Sequence, residues 1–148
     1  SPSTNPLLYN HYLEVARQNP YFHLEKPVAQ SQLSTELSKY HYGIIPFFKS
    51  TSGQSSDKYK YSTALKLFNF IEAGIPTICS RDIEFQAWIL KRYAAGFAVS
   101  ESDIATIGNK LNHTDYTALQ AELMAHRSQL SLKNNIHKLY HFYQKILA

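Results

Sequence analysis

The chain has 148 residues, of which 44% are apolar and 18% charged, a balance that excludes a disordered or membrane-embedded chain and fits one globular domain. Its formal charge is +4, with lysines and arginines spread along the chain, which favours an anionic ligand or surface over a dedicated nucleic-acid groove. The single cysteine, Cys79, excludes an internal disulfide, and no apolar run approaches the ~20 residues that span a bilayer.

Residues 1–6 read as a linker. Over residues 7–18 the apolar positions 8, 12, 13, 15 and 16 have helical spacing, and Asn19-Pro20 ends the helix. Tyr21-Phe22-His23-Leu24 is a short strand candidate closed by Pro27, and Ser31 or Ser34 can cap a helix running to about Lys39. Residues 41–48 (His-Tyr-Gly-Ile-Ile-Pro-Phe-Phe) form a largely apolar run, the pattern of a strand buried on both faces. A polar loop follows, then a helix over 62–73 with Ala64, Leu67, Phe68 and Ile71 on one face. That helix stops at Gly74 and turns directly into a strand over 76–80. A helix over 83–93, a strand over 96–99, a short helix over 103–111 and a largely helical tail from 116 complete the order. Strand and helix alternating at this spacing predict an α/β fold with a parallel sheet flanked by helices over 7–112 and a helical tail over 113–148.

Open parallel sheets bind ligands beyond the carboxyl ends of their strands, which here places two polar loops, 47–61 and 80–84, at the binding edge. The first loop leads into the helix over 62–73, whose free N–H groups and dipole favour an anion. Ser62 and Thr63 supply hydroxyls there, and Lys58, Lys60 and Lys66 supply positive charge, so the place suits a diphosphate. Each residue also has a plainer reading: Lys66 as a solvated lysine, Ser62 and Thr63 as N-caps, Tyr61 and Asn69 as packing residues. Arg81 and Asp82 follow a strand and can line the same cleft, while Cys79 reads as a buried strand residue. The seven histidines show no metal-ligand spacing beside a carboxylate; the i, i+4 pair His137 and His141 lacks a third ligand. No metal and no cofactor are expected.

The segment Leu65-Lys66-Leu67-Phe68-Asn69-Phe70-Ile71-Glu72-Ala73-Gly74-Ile75-Pro76-Thr77-Ile78 resembles the KLFEYLAAGxPVI signature of the C-terminal domain of GT-B-fold, group 1-like glycosyltransferases. Leu33 to Phe47, with Glu36-Leu37-Ser38 and Tyr42-Gly43-Ile44-Ile45-Pro46-Phe47, is similar to the family's segment before the donor loop, and Ala95 to Val99 to its GxxV strand. The resemblance implies a Rossmann-like domain, the C-terminal half of a GT-B fold without its first strands, that holds a nucleoside diphosphate sugar. It implies donor contacts from Pro46, Lys60, Tyr61, Ser62, Thr63, Lys66 and Asn69. It also implies an upstream domain that binds a sugar or lipid-linked acceptor, so this chain alone is not expected to transfer sugar. A cytoplasmic setting follows, with the inner membrane face and peripheral membrane association of the parent enzyme as a further expectation. Retaining members commonly carry a Glu-x7-Glu pair; alignment on Gly74 and Pro76 puts Tyr61 and Asn69 at those positions, which removes the usual basis for retaining chemistry. A non-catalytic interaction module that keeps the sheet is the alternative. Ile136, Leu139, Tyr140, Phe142, Tyr143, Ile146 and Leu147 give the last helix more apolar surface than one sheet face needs, which predicts a domain interface or self-association.

Overall fold

Two helices, α1 (Pro6–Gln18) and α2 (Gln30–Leu37), lead into a sheet of three parallel strands, β1 (Gly43–Ile45), β2 (Thr77–Ser80) and β3 (Gly96–Val99), in the order β1-β2-β3. The computed structural model describes residues 5–48 and 60–147. Parallel neighbours require a crossover, and α3 (Leu65–Ala73) and α4 (Glu84–Arg92) supply the two. After β3 come a 3-10 segment (Glu101–Thr106), α5 (Ile107–Asn112), α6 (Tyr116–His126), a second 3-10 turn (Arg127–Leu130) and α7 (Leu132–Leu147). This is the α/β fold with a parallel sheet flanked by helices that the alternation predicts, in the Rossmann-like arrangement that the resemblance implies.

Register decides what each face buries. Ile45, Cys79 and Ala98 align across the three strands, and Ile44, Ile78 and Phe97 form the next row, pointing the opposite way. The first row packs under Leu67 and Ile71 of α3, Ile89 and Leu90 of α4, and Leu123 of α6. Each such side chain, fully buried, stabilises the fold by roughly 1.5–3 kcal/mol. Burial also pushes the Cys79 thiol up to about 11, so it stays protonated and inert at neutral pH. On the opposite face Ile78, Val99 and Phe48 pack with Ile107 and Leu111 of α5.

The end of α3 sets the geometry of the sheet. Gly74 takes the left-handed conformation (φ 73°), and its N–H donates to Ile71 O at 3.1 Å. Ile75 N–H donates to Phe70 O at 3.1 Å, closing the helix with a Schellman pair of bonds. Two residues of the C-terminal region hold the exposed carbonyls: Gln120 Nε2 donates to Gly74 O at 3.2 Å, and Arg127 Nη1 to Glu72 O at 3.1 Å. The chain then enters β2 at once. Pro76 O accepts from Gly43 N–H at 2.9 Å, and Thr77 N–H donates to Ala95 O at 2.8 Å, so β2 meets both neighbours at its first residue. Gly96 (φ 135°) allows the second meeting, because a Cβ there would collide with the Thr77 backbone.

Several sequence expectations are corrected. Residues 21–24 form no strand: the Asn19 side chain accepts from Tyr21 N–H at 2.9 Å and Phe22 N–H bonds Asn19 O, a local turn that leaves Tyr21 92% exposed. The cap of α2 is Ala29, not Ser31 or Ser34, and it makes no side-chain cap bond. β1 is three residues long and buried on one face only. Ile44, on the face opposite Ile45, is 57% exposed. α3 begins at Leu65 with Ala64 as N-cap, so Ser62 and Thr63 lie before the cap rather than forming it. The short helix after β3 starts earlier than position 103, since Ser100 and Asp103 form a capping box that opens the 3-10 segment. The loop 49–59, with Lys58, lies outside the described residues.

Replacing Gly74 with alanine puts a Cβ on a left-handed residue, which costs about 1–2 kcal/mol. Urea unfolding of Gly74→Ala is expected to show a midpoint lowered to that extent with an unchanged slope; an unchanged midpoint would show that the turn does not carry the stability assigned to it.

Candidate functional site

The carboxyl ends of the strands bring three segments to one edge. β1 runs out through the exposed residues Pro46 and Phe47, β2 through Arg81 and Asp82, and β3 through Ser100 into the 3-10 segment. The strand order continues into the loops: Arg81 N–H donates to Val99 O at 2.8 Å, and Asp82 N–H to Ser80 Oγ at 3.1 Å. These bonds fix the loop after β2 against the end of β3.

Two ion pairs tie the edge together. Lys60 Nζ lies 3.5 Å from Glu84 Oε2, joining the segment before α3 to the first turn of α4, where the helix dipole favours the carboxylate. The same ammonium stands 5.7 Å from the centre of the Tyr61 ring. Arg81 Nη2 lies 3.7 Å from Asp103 Oδ2. Asp103 also accepts from Ser100 N–H at 2.7 Å. That backbone bond, then the Ser100 hydroxyl, then the Arg81 guanidinium hold its carboxyl below the usual carboxylate range.

The start of α3 differs from both of these. Its N-cap, Ala64, offers no side-chain acceptor, and its first turn contains no acidic residue. Leu67 N–H bonds back to Ala64 O at 3.0 Å, the tightened bond of a helix start. Lys66 sits exposed in this turn, and among the described residues it forms no ion pair. Asn69 is three residues further on and half-buried, which places it beside Lys66 on the helix surface. Tyr61 is 71% exposed, Thr63 is exposed and Ser62 half-buried. Thus Lys60, Tyr61, Ser62, Thr63, Lys66 and Asn69 run along one segment into α3, and Pro46 stands on the adjoining strand end.

Sequence reasoning missed the partners. Glu84 and Asp103 neutralise Lys60 and Arg81, so much of the edge's positive charge is already balanced. The Ser100-x-x-Asp103 spacing is a readable capping signal for one of them. Gln86, on α4, is 1% exposed with its Oε1 unpartnered, and so is the hydroxyl of the wholly buried Thr77 at the opposite edge. Gln86 stands in the i, i+3, i+4 series with Ile89 and Leu90, a spacing from which its burial is readable. Among the described residues no group of three histidine, cysteine, aspartate or glutamate side chains is placed to hold a metal ion.

Three parallel strands joined by crossover helices define an α/β domain of the Rossmann-like class. Residues 3–140 match the family described as Glucosyltransferase 3-like, C-terminal domain, and the chain belongs to that family. It is thus a glycosyltransferase C-terminal domain, with a role related to sugar transfer. Comparison with curated proteins and with solved structures gave no match.

The Asp103 carboxyl has a pH consequence. Its folded value is depressed, so its contribution to the capping box is present above the ordinary value of 3.8 and is lost as pH falls through the lowered one. An NMR titration of the Asp103 side chain is expected to give a midpoint below 3.8, shifted upward in Arg81→Ala. A midpoint at or above that value would contradict the assigned contacts.

Proposed function

We propose that this domain holds a nucleoside diphosphate sugar, as the donor-binding part of a GT-B-fold, group 1-like glycosyltransferase in polysaccharide or glycoconjugate biosynthesis. The observation that supports this reading is the start of α3: Ala64 without a capping side chain, a first turn without acids, and the exposed Lys66 beside it. A diphosphate at this place accepts from helix N–H groups and meets a lysine whose charge no carboxylate among the described residues neutralises. Thr63 and Ser62 add hydroxyls from the preceding segment, and Asn69 can bond a ribose hydroxyl from the neighbouring surface of α3. Tyr61, exposed beside the ammonium of Lys60, presents a ring to the sugar. Pro46 closes the far side from β1.

In this reading the domain holds and orients the donor, and the acceptor, a sugar or a lipid-linked sugar, comes from a further domain in the cytoplasm or at the inner membrane face. Tyr61 and Asn69 provide no carboxylate at the two positions where retaining relatives of this fold commonly have glutamates. The same substitution favours one alternative, a non-catalytic module that keeps the sheet without the transfer chemistry. Lys60 and Arg81, already paired with Glu84 and Asp103, favour it as well.

Calorimetric titration with UDP, GDP and their sugars separates the two. The donor-holding role predicts binding of at least one nucleotide, weakened about tenfold by Lys66→Ala, the loss of one charge-assisted contact worth roughly 1.4 kcal/mol. A folded sample that binds none of them would overturn the reading in favour of the non-catalytic module.

A further inference from the structure

The last helix presents a surface that the donor site does not use. α7 spans 16 residues and buries none of them; it meets the rest of the fold chiefly at the 3-10 turn before it. Its only polar residue on the apolar side, Asn135, donates to Gln129 O and Ser131 O, both at 2.8 Å, and so anchors the helix to that turn. At about 100° per residue, Leu132, Ile136, Leu139, Tyr140, Phe142, Tyr143, Ile146 and Leu147 fall within one arc of about 160°. All eight are 47–83% exposed.

The opposite side carries three lysines among histidines and the uncharged Asn134 and Gln144. Lys133, His137, Lys138, His141 and Lys145 lie on it, and the helix contains no aspartate or glutamate. Lys133 falls next to Tyr140 at one margin of the apolar arc, and Lys138 next to Phe142 at the other. Among the described residues none of the three lysines forms an ion pair. Lysines at both margins can extend along the apolar side and set their ammonium groups at a negatively charged plane.

We propose that α7 docks on an anionic lipid surface, its apolar arc sunk to the boundary of headgroups and acyl chains and its lysines at the phosphates. Half apolar, with three lysines and no acid on the other half, and too short and polar to cross a membrane, the helix has the composition of one that lies in that boundary. A second copy of α7 fits less well. Paired helices need a narrower seam, and the flanking lysines would face one another with no carboxylate to meet them. This assignment is independent of the donor site.

The test is flotation of the 148-residue chain with phosphatidylcholine vesicles, with and without phosphatidylglycerol. Two variants accompany it, one with Lys133→Glu, Lys138→Glu and Lys145→Glu, the other with Tyr143→Ser and Ile146→Ser. All five positions are exposed, and circular dichroism checks that each variant is folded. The wild-type chain is expected to float with the anionic vesicles and not with the neutral ones. Each variant should lose about tenfold or more of that binding, and salt near 1 M, where the screening length is ~3 Å, should release the wild type. Failure to float, equal binding to neutral vesicles, or undiminished binding by the lysine variant would overturn the proposal. So would a stable dimer that Tyr143→Ser and Ile146→Ser dissolve and that ignores vesicles, since the face would then belong to a second copy.

Discussion

The bond from Ile75 N–H to Phe70 O, made possible by the left-handed Gly74, ends α3 with the chain already turned into β2. The pairing of the three strands and the docking of α6 depend on that reversal. Because it takes a single residue, Pro76 and Thr77 can bond to β1 and β3 immediately, and the sheet is aligned from its amino edge. Gln120 and Arg127 then fasten the C-terminal region to the same turn, and Leu123 between them reaches the core. The turn therefore links the central strand, one crossover helix and α6 in one cooperative unit.

Fixing one end of a helix also places the other. α3 has nine residues, so its first turn stands roughly 13 Å from Gly74, on the side where the strands end. The arrangement there is one of balanced and unbalanced charge. Glu84 and Asp103 hold Lys60 and Arg81 and stiffen the loops around them. Lys66, at a helix start with neither cap nor acid, forms no ion pair among the described residues.

How much of this could be read from the sequence follows from what each feature depends on. The end of α3 was legible because Gly74 and Pro76 act through their own backbones, and β3 was found at its observed limits because Gly96 and the four-residue apolar run bound it locally. The strand at 21–24 was misjudged because a strand needs a neighbour, and Asn19 offered the backbone a nearer partner. Ile44 has the apolar character of a core residue, but its exposure depends on what packs over that face of the sheet, which no local pattern encodes. At the site, the lysines and hydroxyls were visible as residue types, whereas the pairing of Lys60 with Glu84 is a tertiary fact. The start of α3 was misplaced by three residues because Ser62 and Thr63 are better caps by type than Ala64, and the tertiary fold overrode that preference.

Amide chemical-shift mapping during a titration with a nucleoside diphosphate reads most directly whether an anion binds at the start of α3. The largest shifts are expected at Leu65, Lys66 and Leu67, with smaller ones at Tyr61, Asn69 and the Arg81–Asp82 turn. Shifts confined to the Gly74 turn or to α7, with the first turn of α3 unmoved, would contradict binding there.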